Sequence, residues 1–213
     1  MKVGSDKQVR LPSEWLAGGG KPVMRWALAI AGVSAIAGAA LVLQQPKHGL
    51  PVYLTVYMSL LTLSLGALFW VIIFNLTRAG WSVVLRRVFE QVMMVLPLFI
   101  ILFIPIILGQ ESLYKWMKES YVATDYLVKL KQPYLNKPFF LIRAALYFFI
   151  WVWLARKFFS DSVKQDATGD DTLTVKSQNR ATYGILLYAL SITFASIDWV
   201  MSLTPHWYST IFG

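Results

Sequence analysis

The sequence predicts an all-α fold, a polytopic transmembrane helix bundle of about five spans. Three observations lead there. Of its 213 residues 57% are hydrophobic and only 15% are charged, too little charge to cover a soluble domain of that length. The apolar residues cluster into runs of roughly 18 or more, enough to cross a hydrocarbon core of about 30 Å at 1.5 Å per residue. Nine Trp and ten Tyr supply the aromatic belts that such a protein places at its two interfaces.

The remaining composition narrows the function classes. The formal net charge of +9 comes from Lys and Arg in loops, where they set topology and meet anionic lipid. The chain therefore reads as a lipid-facing protein and not as a nucleic-acid binder. It has no Cys, which excludes disulfides, Cys-ligated zinc and Cys-ligated iron–sulfur clusters within it. Its two histidines, His48 and His206, both lie outside the spans, so two His from this chain would not hold an intramembrane haem.

Residues 1–22 are polar, carry Lys2, Lys7, Arg10 and Lys21, and read as a cytoplasmic tail; residues 23–213 form the transmembrane domain. The first span is expected over 23–43, with Ala27, Ala31, Ala35 and Ala39 forming a small-residue ridge. A short turn over 44–51 leads to the second span, 52–76. There Thr55, Ser59, Thr62 and Gly66 share one helix face. The face reads either as a helix contact whose hydroxyls bond locally or as a polar lining for protons or water. After the basic connector 78–87 comes a third span, 88–108, which Pro97 and Pro105 should kink. Residues 109–138 are the longest hydrophilic segment. Within it, Leu113, Trp116, Met117, Tyr121 and Tyr126 interleave with charges over 111–130, as in an amphipathic surface helix. A fourth span, 139–159, a polar loop over 160–182, and a fifth span, 183–203, complete the pattern. The uncharged ending, His206 to Gly213, looks like the start of another membrane element, so the chain is expected to be a fragment of a longer protein.

With the N-terminus inside, the inner segments hold 13 Lys and Arg against 6 in the outer ones, so N-inside is expected. A charge within a span is costly and therefore functional by default. Asp198, about five residues from the outer end of its span, is the strongest candidate for proton exchange. Arg143 lies at similar depth and is its natural partner, though pairing would weaken the proton-carrier reading. Glu90, beside Arg86 and Arg87 near the inner end of the third span, reads as an interfacial salt bridge or a proton entry point. His206, just beyond the fifth span, can handle protons at an interface.

Several strings carry a family resemblance. Phe194-Ala-Ser-Ile-Asp-Trp-Val-Met-Ser-Leu-Thr-Pro-His-Trp-Tyr-Ser-Thr-Ile-Phe-Gly213 resembles the fifth-helix region of the F subunits of alternative complex III, a bacterial quinol:cytochrome c oxidoreductase. Residues 79–87 and 134–147 are similar to the same subunits. The resemblance implies a polysulfide-reductase-C or NrfD-like membrane subunit of about ten spans in two four-helix bundles. This chain would be one bundle plus a peripheral helix. It implies the bacterial inner membrane, quinone in the complex, haem c and iron–sulfur clusters in periplasmic and membrane partner subunits, and no cofactor bound by this chain alone. It also implies importance for Asp198, His206, Glu90 and Arg143. The expected function is a subunit, not catalytic alone, that contributes to quinone-site architecture or proton translocation. A secondary transporter or channel fragment, and a purely structural anchor, are the alternatives.

Overall fold

The computed structural model describes residues 20–209, apart from the side chains of a few positions, 36, 39, 41 and 43 among them. The polar tail expectation therefore lies almost wholly outside the described residues, as does the last part of the apolar C-terminal string. The chain is all-helical, 86% helix, with no strand among the described residues. Among the described residues four helical stretches are long and apolar enough to cross a membrane: Pro46–Leu76, Leu85–Leu108, Lys137–Thr168 and Thr172–Leu203. The chain is a helical membrane protein.

Two compact units meet at the Gly49–Leu50 boundary. The first contains helix α1, Gly20–Gln44, whose apolar stretch Pro22–Ala35 carries most of the alanine ridge; Ala39 lies outside the described side chains. Helix α2, Pro46–Leu76, takes in the residues expected to form a turn over 44–51, leaving only Gln45 non-helical. Proline in the first turn of a helix loses no intrahelical bond, so Pro46 starts α2 without penalty. At its far end Arg78 adopts φ 51°, and the Ala79 amide bonds back to Phe74 O at 3.0 Å, closing the helix with a left-handed turn.

The third span is broken as its prolines require. It consists of α3 (Val83–Met93), α4 (Leu96–Leu102) and α5 (Ile104–Leu108). At the second break the Phe103 amide turns to Ile100 O and the Ile106 amide to Phe103 O, which frees the carbonyls of Phe99 and Leu102. Two tyrosines of α2 take them up: Tyr57 donates to Phe99 O at 3.1 Å and Tyr53 to Leu102 O at 2.6 Å. Freed carbonyls in a membrane must find donors inside the protein, and here phenols supply them.

The hydrophilic segment is not one amphipathic helix. It divides into α6 (Gln110–Leu113), a single 3₁₀ turn, α7 (Glu119–Thr124) and α8 (Tyr126–Lys131), separated by extended residues Tyr114, Lys118 and Asp125. The breaks let Leu113, Tyr114, Trp116, Val122 and Val128 all reach the interior, which one straight helix would not allow. Asp125 caps α8 by accepting the Leu127 and Val128 amides.

Helices α9 (Lys137–Thr168) and α10 (Thr172–Trp199) form a long antiparallel hairpin. The polar loop expected over 160–182 is corrected to three residues, 169–171. Gly169 terminates α9 at φ 66°, a conformation that costs glycine nothing. The polar residues on either side remain helical because they pair across the hairpin, as described below. At Gly184 an added Cβ would lie 3.2 Å from Leu154, so glycine permits the close approach of the two helices. Trp151 and Trp199, both fully buried, cross at 5.7 Å in an edge-to-face pair at the centre of the aromatic core.

Candidate functional site

The hairpin carries two buried ion pairs, one near each end. At the open end Arg143 of α9 forks onto Asp198 of α10, Nε to Oδ2 at 2.7 Å and Nη2 to Oδ1 at 2.9 Å. The Asp198 side chain is 0% exposed. Tyr147 adds a third donor to Oδ2 at 2.7 Å, and Arg143 donates its Nη1 to Tyr134 O at 3.1 Å. The guanidinium also lies over the Tyr134 ring, 3.9 Å from its centroid, and over Phe139 at 4.2 Å. Burial, with Asp198 adding to it, pushes the Tyr134 hydroxyl up to about 12. The expected partnership of Arg143 and Asp198 is thus present. Both oxygens of Asp198 are occupied by donors, and a proton placed on either would displace one of them.

At the hairpin turn Asp161 of α9 pairs with Arg180 of α10 at 2.5 Å. Gln165 donates to Thr174 across the same junction at 2.6 Å. Beside this pair Glu90 of α3 is fully buried. It binds Arg86 at 2.8 Å and Arg87 at 3.1 Å, and accepts the Ser162 hydroxyl at 2.9 Å. Arg87 continues to Asp166 of α9. Glu90 is therefore the centre of a salt-bridge network joining α3 to α9. Of the two expected readings of Glu90, the salt bridge is present in the geometry, with the carboxylate buried.

Arg143 and Asp161 are 18 residues apart on α9, and so are Arg180 and Asp198 on α10. Eighteen residues are five full turns, so each helix presents its two charges on one face about 27 Å apart. That separation matches a hydrocarbon core of roughly 30 Å. The sequence pattern places Asp161 and Arg180 in the polar loop expected over 160–182. The repeated Arg-to-Asp spacing on two antiparallel segments was the signal that could have identified them.

His206 lies on the surface at the Asp198 end. Its Nε2 is 2.6 Å from Asp125 Oδ2 and 3.4 Å from the Tyr121 hydroxyl. Next to it Lys131 donates to Pro205 O at 2.5 Å. Burial acts to raise the Asp125 pKa, but the Val128 amide, His206 and Tyr121 outweigh it and hold the carboxyl below its usual range. No sequence pattern singles out Asp125.

The hydroxyls of the polar helix face bond locally: Thr55 to Pro51 O, Ser59 to Thr55 O and Thr62 to Ser59 O, at 2.8–2.9 Å. Thr55 and Ser59 also line a groove of about 470 Å³, with Pro51, Leu54, Met58, Leu113, Val200 and Leu203. Two of its lining residues, Val200 and Leu203, follow Asp198 in the chain. Thr62 is not part of it. Among the described residues no three His, Asp or Glu side chains converge as metal ligands would.

No protein-family model matches the chain, and no curated protein matches it.

Proposed function

We propose that this chain is an integral membrane subunit of a quinol:electron-acceptor oxidoreductase complex in a bacterial inner membrane, with its N-terminus cytoplasmic, and that it helps shape a quinone site. The resemblance to alternative complex III F subunits in residues 79–87, 134–147 and 194–213 supports the assignment. The observation that carries it is the groove at the Asp198 end. Its volume falls in the range of about 300–1,000 Å³ typical of small-molecule sites. Its walls are apolar, and the Thr55 and Ser59 oxygens retain lone pairs for a ligand donor. A quinol hydroxyl, as donor, fits those acceptors. The quinone would supply the redox chemistry, and haem c and iron–sulfur clusters would reside in partner subunits. This chain's own residues would hold the ring and fix the wall behind it.

Within that role Asp198 acts as a positioning residue. Its three bonds tie α10 to α9 at the end of α10 that leads into Val200 and Leu203 of the groove wall, and so would steady that wall. A transporter would need a midplane polar site, and the buried charges here lie toward the ends of the helices instead.

Purification from native membranes through a tag on this chain tests the assignment. Co-purification of multihaem and iron–sulfur subunits is expected, and a solitary protein would sink it. In the intact complex Ser59→Phe, which fills the groove, should raise KM for quinol while leaving the thermal midpoint unchanged. An unaltered KM would remove the groove from the quinone pathway.

A further inference from the structure

At the hairpin-turn end, a second cavity of about 490 Å³ lies along α10, lined by Thr172, Val175, Lys176, Asn179, Arg180 and Tyr183. We infer that it seats the headgroup of one anionic phospholipid, whose acyl chain runs down the same helix face. The inference does not rest on the proposed function.

Two observations carry it. The first is charge. Lys176 is exposed, and neither it nor Asn179 has a partner among the described residues. Arg180 is almost wholly buried, yet it lines the cavity while holding Asp161. Tyr183 packs against Trp153 of α9 as a tilted ring pair with centroids 6.3 Å apart, and Arg156 and Lys157, both exposed, follow Trp153 by about one turn. The acids nearby are already engaged or sit at the edge: Asp161 with Arg180, and Asp170 with the Thr172 amide, leaving Asp171 at the helix start. Arg180 and Asp161 cancel, so Lys176, Arg156 and Lys157 stand against Asp170 and Asp171, a balance of one positive charge around a cleft that also offers amide and hydroxyl donors to a phosphodiester.

The second is the continuity of the face. From Tyr183 the exposed side of α10 becomes apolar, with Leu186, Leu190 and Phe194 at helical spacing. Tyr183 to Phe194 covers 11 residues, about 16 Å, close to half of a 30 Å hydrocarbon core. A basic cleft, then an aromatic pair at belt depth, then an apolar strip one leaflet long is the outline of a phospholipid.

Native mass spectrometry of the full chain, in mild detergent doped with phosphatidylglycerol or phosphatidylcholine, tests the site. The wild type should retain one phosphatidylglycerol in preference to phosphatidylcholine. Because a basic residue near the surface supplies only a modest attraction, Lys176→Gln should weaken that retention about fivefold. Lys176 is exposed and unpaired, so an unchanged thermal midpoint is expected and confirms that the variant folds. Equal retention of the two lipids would overturn the assignment, as would wild-type retention by Lys176→Gln. So would full displacement by glycerol 3-phosphate at equal concentration, since the acyl strip would then contribute nothing.

Discussion

Replacing Asp198 by Asn keeps the shape of the side chain and removes its charge. Three donors now converge on two acceptor oxygens, Arg143 Nε and Nη2 and the Tyr147 hydroxyl. An amide offers one oxygen, and its NH₂ group would face a donor. Hydrogen bonds to charged groups contribute about 1.5–3 kcal/mol each. Arg143 would keep the Tyr134 carbonyl and the Tyr134 and Phe139 ring faces, which offset part of the loss. The remainder agrees with the about 3–5 kcal/mol expected when one member of a buried pair is removed. At roughly 2–4 °C per kcal/mol for a chain of this size, the thermal midpoint should fall by about 6–20 °C. Intrinsic fluorescence during heating reads it, because Trp151 and Trp199 pack against Tyr147. Removing both charges with Asp198→Leu and Arg143→Met should recover most of the loss, since an apolar pair leaves no stranded charge. A fall of less than about 2 °C in the single variant, or a double variant no better than the single, would refute the reasoning.

Three further outcomes are expected. Asp125 is held below its ordinary value of 3.8, so it binds a proton less readily folded than unfolded; its contribution is complete above that pH and lost as pH falls through the lowered folded value. The midpoint gap between wild type and Asp125→Asn should therefore close in acid, and a gap that persists would count against the His206 contact. Gly109→Ala would drive a Cβ into the Leu50 side chain, which is only 2% exposed and has little room to turn. A loss of about 1–3 kcal/mol should appear in thermal or denaturant unfolding, and a neutral variant would mean that the contact relaxes freely. Tyr57→Phe should cost about 1–3 kcal/mol by stranding the Phe99 carbonyl at the break in the third span. If stability is unchanged, the phenol is not what satisfies that carbonyl.

The fold class was legible because it rests on run length, which lipid enforces directly. The breaks in the third span were legible because proline cannot donate. The helical extent of residues 160–182 was not, because its residues look like solvated loop until Asp161 and Arg180 face each other across the hairpin. Composition windows average that contact away, whereas the 18-residue period preserves it. Arg143 with Asp198 could be paired from equal depth alone. Asp125 with His206 could not, being 81 residues apart on irregular segments whose path no periodicity fixes. The broken course of the Gly109–Pro138 region was hidden for the opposite reason: its hydrophobic pattern does fit a helix. The burial of Tyr114 and Trp116 against Phe140 overrides that pattern.

The two ion pairs of the hairpin also set an order of events during synthesis. Arg180 follows Asp161 by 19 residues, whereas Asp198 follows Arg143 by 55. At about 5–20 residues per second, the first pair can close roughly 1–4 s after Asp161 is made, but Arg143 must wait roughly 3–11 s for its carboxylate. During that interval its cation has the Tyr134 carbonyl and the Tyr134 and Phe139 ring faces, all made before it, but not yet Asp198. The hairpin therefore zips from its turn toward its open end, and Asp198, the last charge to arrive, locks it.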